Sequence, residues 1–283
     1  LTVLSSNHTR TGTAGALGSL DNTWVDLSAC ATVSVAGAVA IGGRARLDLS
    51  NGVMRAQALT LTTNASLFIS PSDLALPGGD YGALVAISNT LRIMDGGWIY
   101  PASHPTSGVS VLFRVGDLLI ATNSGVDADA LGWSSMTPVS WYAPPWGWGP
   151  GSGGYRSGGS YGGKGGGSYT SDTYGHANAP LQAGSASGGN NATGYRSGGL
   201  VRIEATGAVV LDGTISARGS NLNATNSLPN SYIGGSSGGG IFIRCATFSG
   251  ASTGVLRANG GNSGMHINSG GGDHAGLAPA LHD

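Results

Sequence analysis

The sequence predicts an all-β fold, namely a right-handed parallel β-helix (solenoid) with long Gly-rich insertions. The first observation behind this prediction is an internal repeat. The segments Gly199–Gly219 and Gly240–Gly260 each contain a glycine, three short strand-like pieces and a closing polar-Gly turn. Repetition of such a unit after about forty residues is typical of solenoids. Solenoids are scaffolds and surfaces more often than they are enzymes.

The second observation is the composition. Of the 283 residues, 52 are Gly and only 10% are charged, with a net charge of −1. Lys164 is the only lysine and Glu204 the only glutamate. The chain therefore lacks residues that favour helices and is rich in residues that favour turns. The near-neutral balance predicts no nucleic-acid partner. The sequence contains no apolar run of about 18 residues, so we expect no transmembrane helix.

Residues 1–133 are predicted to form solenoid coils. Apolar and polar residues alternate in Ala45–Leu49, Gln57–Thr62 and Thr90–Asp95, and Gly breaks separate these runs. The run Ala83–Ile87 indicates a strand that is buried on both faces. Groups of strands recur about every 20–25 residues, which suits one turn of a three-faced β-helix, and no segment shows a sustained 3.6-residue period. A β-sandwich is the alternative all-β interpretation.

Residues 134–198 are predicted to be a Trp/Tyr/Gly-rich insertion. We expect partial order, because tyrosines recur along it and coils hold both of its ends. For such Gly-rich chains, polyglycine-II-like packing of extended segments is one candidate arrangement. Further coils are predicted at 199–260, with a Gly-rich loop at 220–239. Residues 261–283 are expected to be a Gly-rich tail that leads into further sequence, so we interpret the chain as an internal or mature piece of a longer protein.

Glycosylation motifs, together with the paucity of charge, indicate a secreted eukaryotic protein. The candidate N-glycosylation sites are Asn7, Asn64, Asn191 and Asn223. The only cysteines, Cys30 and Cys245, lie in similar settings. If several coils separate them, they cannot form an intrachain disulfide. We interpret them as buried thiols or as an inter-subunit bridge.

The candidate catalytic patterns are weak. Asp127 and Asp129 place two carboxylates on one face of a strand, but a β-helix lyase needs more acids and a base. Glu204 and Asp212 are expected on remote coils, so turn capping is the favoured role for the aspartates. Lys164 lacks the context of a phosphate-binding loop, and the histidines lack metal-ligand spacing. We predict no catalytic, cofactor or metal site, and no enzyme.

An aromatic cluster is the candidate interface. Trp133, Trp141, Trp146 and Trp148 lie close together in sequence, with Tyr142. Such side chains can pack where a coil breaks into a loop, anchor a protein interface or stack on sugars. The sequence leaves these three roles open.

The order of signals from about Val109 onward resembles a family of large secreted Gly-rich β-helix proteins. The segments that carry this resemblance are SGVDADALGW, GPGSGGYRSGGSYGGKGGG, YGHANAPLQAGSASGG, GGLVRIEATGAVVLDGTISARG, GGSSGGGIFIRCATFSGASTGVLRANGG and SGGGDHAG. They cover a little over half of the chain. The resemblance implies a surface, cell-wall or appendage component without catalytic residues.

We therefore expect an extracellular structural protein, a building block of a fibre, appendage or wall layer. It is expected to carry N-glycans and to assemble with itself through solenoid ends and Gly-rich loops. The alternatives are a carbohydrate-active β-helix enzyme, such as a polysaccharide lyase or hydrolase, and a glycan-binding adhesin stalk. An ice-binding module would need a flat ladder of Thr, and Leu59–Thr63 is too short for one.

Overall fold

The computed structural model describes residues 2–5, 9–11, 24–135, 146–155, 157–188, 195–221 and 234–263. Within these ranges the chain forms strands, turns and segments without regular secondary structure. These described residues contain no helix that is long and apolar enough to cross a membrane. The strands in chain order are β1 (Thr2–Ser5), β2 (Thr9–Thr11), β3 (Trp24–Leu27), β4 (Cys30–Ser34), β5 (Ala38–Ile41), β6 (Arg46–Ser50), β7 (Val53–Ala56), β8 (Ala58–Leu61), β9 (Ser66–Ser70), β10 (Ala83–Ile93), β11 (Trp98–Pro101), β12 (Val111–Ile120), β13 (Gly125–Asp127), β14 (Leu200–Ala205), β15 (Ala208–Leu211), β16 (Thr214–Ser216), β17 (Gly240–Arg244), β18 (Thr247–Ser249) and β19 (Val255–Arg257).

The strands pair in three parallel ladders. Ladder A contains β4, β7, the first halves of β10 and β12, β14 and β17. Ladder B contains β5, β8, the second halves of β10 and β12, β15 and β18. Ladder C contains β3, β6, β9, β11, β13, β16 and β19.

The chain visits the ladders in a fixed order, from C to A to B and back to C. Each visit adds one strand beside its predecessor, in parallel. The predicted all-β fold with parallel sheets is confirmed, and this order is compatible with the predicted solenoid. A β-sandwich would need antiparallel pairing, which occurs only where β1 pairs with β2 and β4 among the described strands.

Residues from all three ladders share one apolar core. In β6, Leu47 and Leu49 face inward and are buried, while Arg46 and Asp48 face outward. This alternation follows from the two-residue period of a strand. Inward residues of all three ladders join a single cluster, in which each fully buried Leu or Ile contributes roughly 1.5–3 kcal/mol relative to an exposed one.

The corner between ladders B and C is a tight turn that recurs in successive coils. Arg44, Asn64, Asp95 and Asn123 have φ values of 62°, 59°, 51° and 61°. Asn and Asp tolerate this left-handed conformation better than most residues. Backbone bonds join successive turns, as from Asn64 N–H to Asp95 O at 3.0 Å.

All long insertions leave the stack at the opposite corner, between ladders C and A. They comprise residues 71–82, 102–110, 128–199 and 217–239. Strand groups recur at the predicted interval only where this corner is short, as from β3 to β6 to β9. The expectation that Glu204 lies on a remote coil is wrong. After residues 128–199 the chain returns to the next position of the stack, so β14 pairs directly with β12.

Ladder A has an outer apolar cluster beneath the first of these insertions. Tyr81 packs against Leu84 of β10 and Leu112 of β12. This cover explains why β10 is nearly buried on both faces at its start, as predicted for Ala83–Ile87.

Candidate functional site

The predicted glycosylation sites are largely outside the described part of the chain. Asn64 is exposed on the tight corner between ladders B and C. Its side-chain oxygen lies against Gly96 of the next turn, where a Cβ would collide with it. Asn7, Asn191 and Asn223 lie outside the described residues.

The predicted thiols lie at opposite ends of ladder A. Cys30 begins β4, Cys245 follows β17, and both are unbridged and half-buried against the core. Five strand intervals separate β4 from β17, which corresponds to about 24 Å. An intrachain bridge between them is therefore excluded. Burial, with a smaller effect of the Asp26 carboxylate, raises the pKa of the Cys30 thiol.

The predicted aromatic residues divide into two settings. The half-buried indole of Trp133 lies against Gly108, where any side chain would collide with it. Trp146 and Trp148 remain 52% and 37% exposed. Trp141 lies outside the described residues. Trp133 thus packs where a coil breaks into a loop, whereas the other two described indoles are open to a partner.

The insertions at the corner between ladders C and A meet beside the ladders. We call this region the glycine body; it comprises residues 146–155, 157–167, 183–188, 195–199, 217–221, 234–239 and 258–263. Its segments form no β-strand, although Gly147 and Arg196 make isolated β-bridges with Ser135 and Ser134. Segment 234–239 exchanges backbone hydrogen bonds with five other segments. These are 157–159, 183–188, 195–199, 217–221 and 258–263.

The bonds of this central segment point in several directions. Ser237 N–H donates to Ser185 O at 3.1 Å, and Gly198 N–H donates to Ser237 O at 3.0 Å. Gly239 N–H donates to Ala217 O at 2.7 Å. A strand inside a flat sheet has only two hydrogen-bonded neighbours. Backbone hydrogen bonds therefore connect the segments of the glycine body in two directions perpendicular to the chain, whereas those of a flat sheet run in only one.

Glycine is required here because the backbones touch. A Cβ on Gly198 would collide with the carbonyl oxygen of Ala217, and one on Gly239 with that of Gly199. A Cβ on Gly188 would collide with the carbonyl oxygen of Gly154. Each collision is with backbone, which cannot move aside as a flexible side chain could.

Serine hydroxyls supply the side-chain hydrogen bonds of the glycine body. Ser185, Ser197 and Ser237 are fully or almost fully buried. Ser185 Oγ accepts a hydrogen bond from Gly151 N–H at 2.9 Å and donates one to the Tyr174 hydroxyl at 2.9 Å. Tyr174 in turn donates to Ala183 O at 2.6 Å. Burial raises the pKa of Tyr174, and it raises that of its neighbour Tyr161 to about 12, so both phenols stay protonated.

Arg196 is a key residue that the sequence analysis missed. Its Nη2 donates to the carbonyl oxygens of Gly132 at 2.8 Å, Ser103 at 2.9 Å and Leu131 at 3.1 Å. Its Nε donates to Gly132 O at 3.0 Å, and burial lowers its pKa. The side chain thus fastens the returning end of insertion 128–199 to its starting end. A signal was present, since GYRSGG occurs at both 154–159 and 194–199.

Asp127 and Asp129 lie where this insertion leaves ladder C. Asp127 Oδ1 accepts the Asp129 N–H at 2.8 Å, which is the predicted turn cap. Asp129 accepts hydrogen bonds from Ser216 Oγ at 2.5 Å and from the Arg218 backbone and Nε at 2.6 and 2.7 Å. Burial is the main cause that raises the pKa of Asp127. Both carboxylates therefore have structural partners.

Ladder A carries an ion network centred on the single glutamate. Glu204 contacts Arg202 at 2.9 Å, Arg114 at 3.3 Å and Arg244 at 3.4 Å. Burial opposes its ionisation, but the hydrogen bonds from Arg202 and Arg114 outweigh this effect and lower its pKa. Three successive coils share these charges, so the network ties the coils together.

The structure shows no metal-ligand cluster among the residues it describes, in the sense of three or more His, Cys, Asp or Glu side chains that could hold one ion. A void of about 10 Å³ beside Cys30 is too small for anything larger than a water molecule. The outer faces and the glycine body are therefore the candidate functional surfaces. The chain matches no protein-family model, no curated protein and no solved structure.

Proposed function

We propose that this chain is an extracellular structural protein: a right-handed β-solenoid stiffened by a lateral, polyglycine-II-like body. It would serve as a building block of a fibre, a surface appendage or a wall layer. The observation that carries the proposal is the five-segment hydrogen bonding of 234–239. Hydrogen bonds to five other segments make this region rigid, and its glycines offer no side chains for catalysis.

The mechanical argument follows from the direction of the hydrogen bonds. The ladders resist extension along the stack, because every coil is bonded to the next one. The glycine body adds bonds across the stack, since each insertion contacts segments from other insertions. Polyglycine-II-like packing agrees with segments that form no β-strand and with backbones that approach too closely for a Cβ.

The proposed assembly uses an end of the stack. In the last described coil, the inward-facing Phe248 and Leu256 are 52% and 51% exposed. Their counterparts one coil earlier, Val209 and Ile215, are fully buried. An uncovered end of a ladder invites pairing with another chain. At the other end β1 already pairs antiparallel with β4, which the sequence analysis did not expect.

Sedimentation velocity over a range of concentrations, combined with electron microscopy, tests this assembly. We expect oligomers or filaments from the purified protein and weaker assembly by Phe248→Ser. Leu74→Ser is the matched control, since Leu74 is also exposed but lies in insertion 71–82. Dispersed monomers at every concentration, or equal effects of both variants, would contradict the proposal.

Extracellular localisation and N-glycans complete the proposal. They are supported by the four sequons, by the scarcity of charge and by the exposure of Asn64. Cys245 follows β17 in the same last described coil as Phe248, where it could bridge two subunits. Intact mass of the secreted protein before and after glycosidase treatment and reduction tests these modifications.

A carbohydrate-active enzyme is the second candidate. The observation that favours it is the approach of Arg218 to Asp129, because an acid and a base on one coil face are what such a site needs. Against it, three donors already occupy Asp129. Incubation with uronate polymers distinguishes the enzyme from the structural protein. Release of reducing ends that disappears in Asp129→Asn would establish the enzyme, and unchanged polymers would leave the structural role.

A further inference from the structure

The outer face of ladder C differs from the other two faces by its aromatic residues. Parallel pairing in register aligns its outward side chains into two columns. One column contains Ser66, Trp98, Gly125 and Thr214 in successive coils. The neighbouring column brings Phe68, Tyr100 and Asp127 together.

Two of these aromatic rings stack face to face. Phe68 and Tyr100 are stacked, with centroids 4.5 Å apart and planes 12° apart. The Arg46 guanidinium covers Phe68 at 3.9 Å from its centroid. This stack fixes the face in place but presents mainly ring edges to solvent. It stabilises the surface and leaves little ring face for a ligand.

Trp98 is arranged differently. A Cβ on Gly125, one coil further on, would lie 2.6 and 3.0 Å from the Cζ3 and Cη2 atoms of the indole. The six-membered ring of the indole therefore lies over the bare backbone of Gly125. Trp98 is half-buried, so part of the indole is open to solvent.

Polar groups surround this indole. Ser66 and Thr214 belong to its column, and Tyr100 and Asp127 to the neighbouring one. All four are half-buried or nearly so and can donate or accept hydrogen bonds. Of the charges on this face, Arg46 pairs with Asp48 and Arg218 with Asp129, while Asp26, Asp127 and Arg257 leave a net charge of −1. The surroundings of the indole therefore combine a flat apolar platform with hydroxyl and carboxyl partners and little net charge.

We propose that this face binds a neutral polysaccharide that runs along the stack, with Trp98 as the stacking platform. A pyranose ring offers one apolar C–H face and a rim of hydroxyls, which matches an indole flanked by hydrogen-bonding groups. The small negative net charge favours a neutral polymer over a uronate. The face is open and flat, and the strands from Ser66 to Thr214 span about 14 Å, so a polymer fits better than a small ligand. This inference is independent of the proposed assembly, which uses the end of the stack.

Affinity electrophoresis tests the inference. The protein is run in native gels that contain a soluble β-glucan, a mannan or a xylan, with pectin and alginate as acidic comparators. We expect retardation by at least one neutral polymer, and about tenfold weaker retardation for Trp98→Ala. Asp127→Asn should weaken binding less, since the amide keeps one acceptor. Tyr169→Ala, which removes an exposed ring elsewhere, is the matched control.

Three outcomes would overturn the inference. They are no retardation of the wild type by any neutral polymer, retardation by pectin or alginate alone, and equal losses in Trp98→Ala and Tyr169→Ala. If Trp98→Ala does not fold, Trp98→Phe retains an aromatic ring over Gly125 and should bind with a loss smaller than tenfold. A Trp98 variant that loses self-association but not polysaccharide retardation would assign this face to a protein partner instead.

Discussion

Replacement of Gly198 by Ala is the sharpest test of the packing in the glycine body. The new methyl group would collide with the Ala217 carbonyl oxygen and with the Gly239 nitrogen, and would lie 2.6 Å from the Ala217 carbonyl carbon. None of these atoms is free to move. Ala217 O accepts the Gly239 N–H, and Ala217 N–H donates to Arg257 O at 2.8 Å.

The expected cost is that of overpacking a rigid site, about 1–3 kcal/mol in the free energy of unfolding. Denaturant titration followed by circular dichroism measures it. Two controls give a graded series. At Gly260, also in the glycine body, a Cβ would meet Ser236 O at 3.6 Å and Gly238 N at 3.9 Å, which are ordinary contacts, and at Gly162 it would meet nothing within 4 Å. We expect little change in Gly260→Ala and no loss in Gly162→Ala. A Gly198→Ala protein as stable as these controls would refute the close packing.

Three further predictions concern single side chains. Arg196→Met should lower the free energy of unfolding by about 2–4 kcal/mol in denaturant titration, because buried carbonyl oxygens lose a charged donor, and Arg196→Lys should lose less. Burial raises the pKa of Asp127, so its contribution to stability should fall as the pH rises from its ordinary pKa of about 3.9 through the raised value. Asp127→Asn should lack this step in a pH series of unfolding curves and be at least as stable at pH 7. Asn64→Gln should remove one glycan from protein secreted by eukaryotic cells, as measured by intact mass; an unchanged mass would mean that Asn64 is unoccupied.

The ladders were the part of the fold that sequence patterns could predict. Alternation placed strands at Ala45–Leu49 and Gln57–Thr62, and the structure has β6 at Arg46–Ser50 and β8 at Ala58–Leu61. The two repeat segments contain β14 and β17, which pair side by side in ladder A with Glu204 opposite Arg244. Local sequence was sufficient to predict these strands, because the inward face of a strand is set by its own two-residue period.

The candidate sites depended on information that no local pattern contains. Arg196 binds backbone carbonyls, and every residue has one, so its partners leave no signature in the sequence. The position of Trp98 over Gly125 depends on the register between two coils separated by a loop of variable length. Likewise, nothing local indicates that the coil after residues 128–199 returns beside β12.

The glycine body depends on the ladders more than the ladders depend on it. Glycine loses more backbone entropy on folding than any other residue and buries almost no apolar surface. Extended glycine segments would therefore remain disordered if they were free. Here insertions 128–199 and 217–239 leave ladder C and return to ladder A at one corner, so the core that orders the coils also holds both ends of these two insertions. The remaining entropy is offset by hydrogen bonds in several directions and by close backbone contact, which only glycine permits.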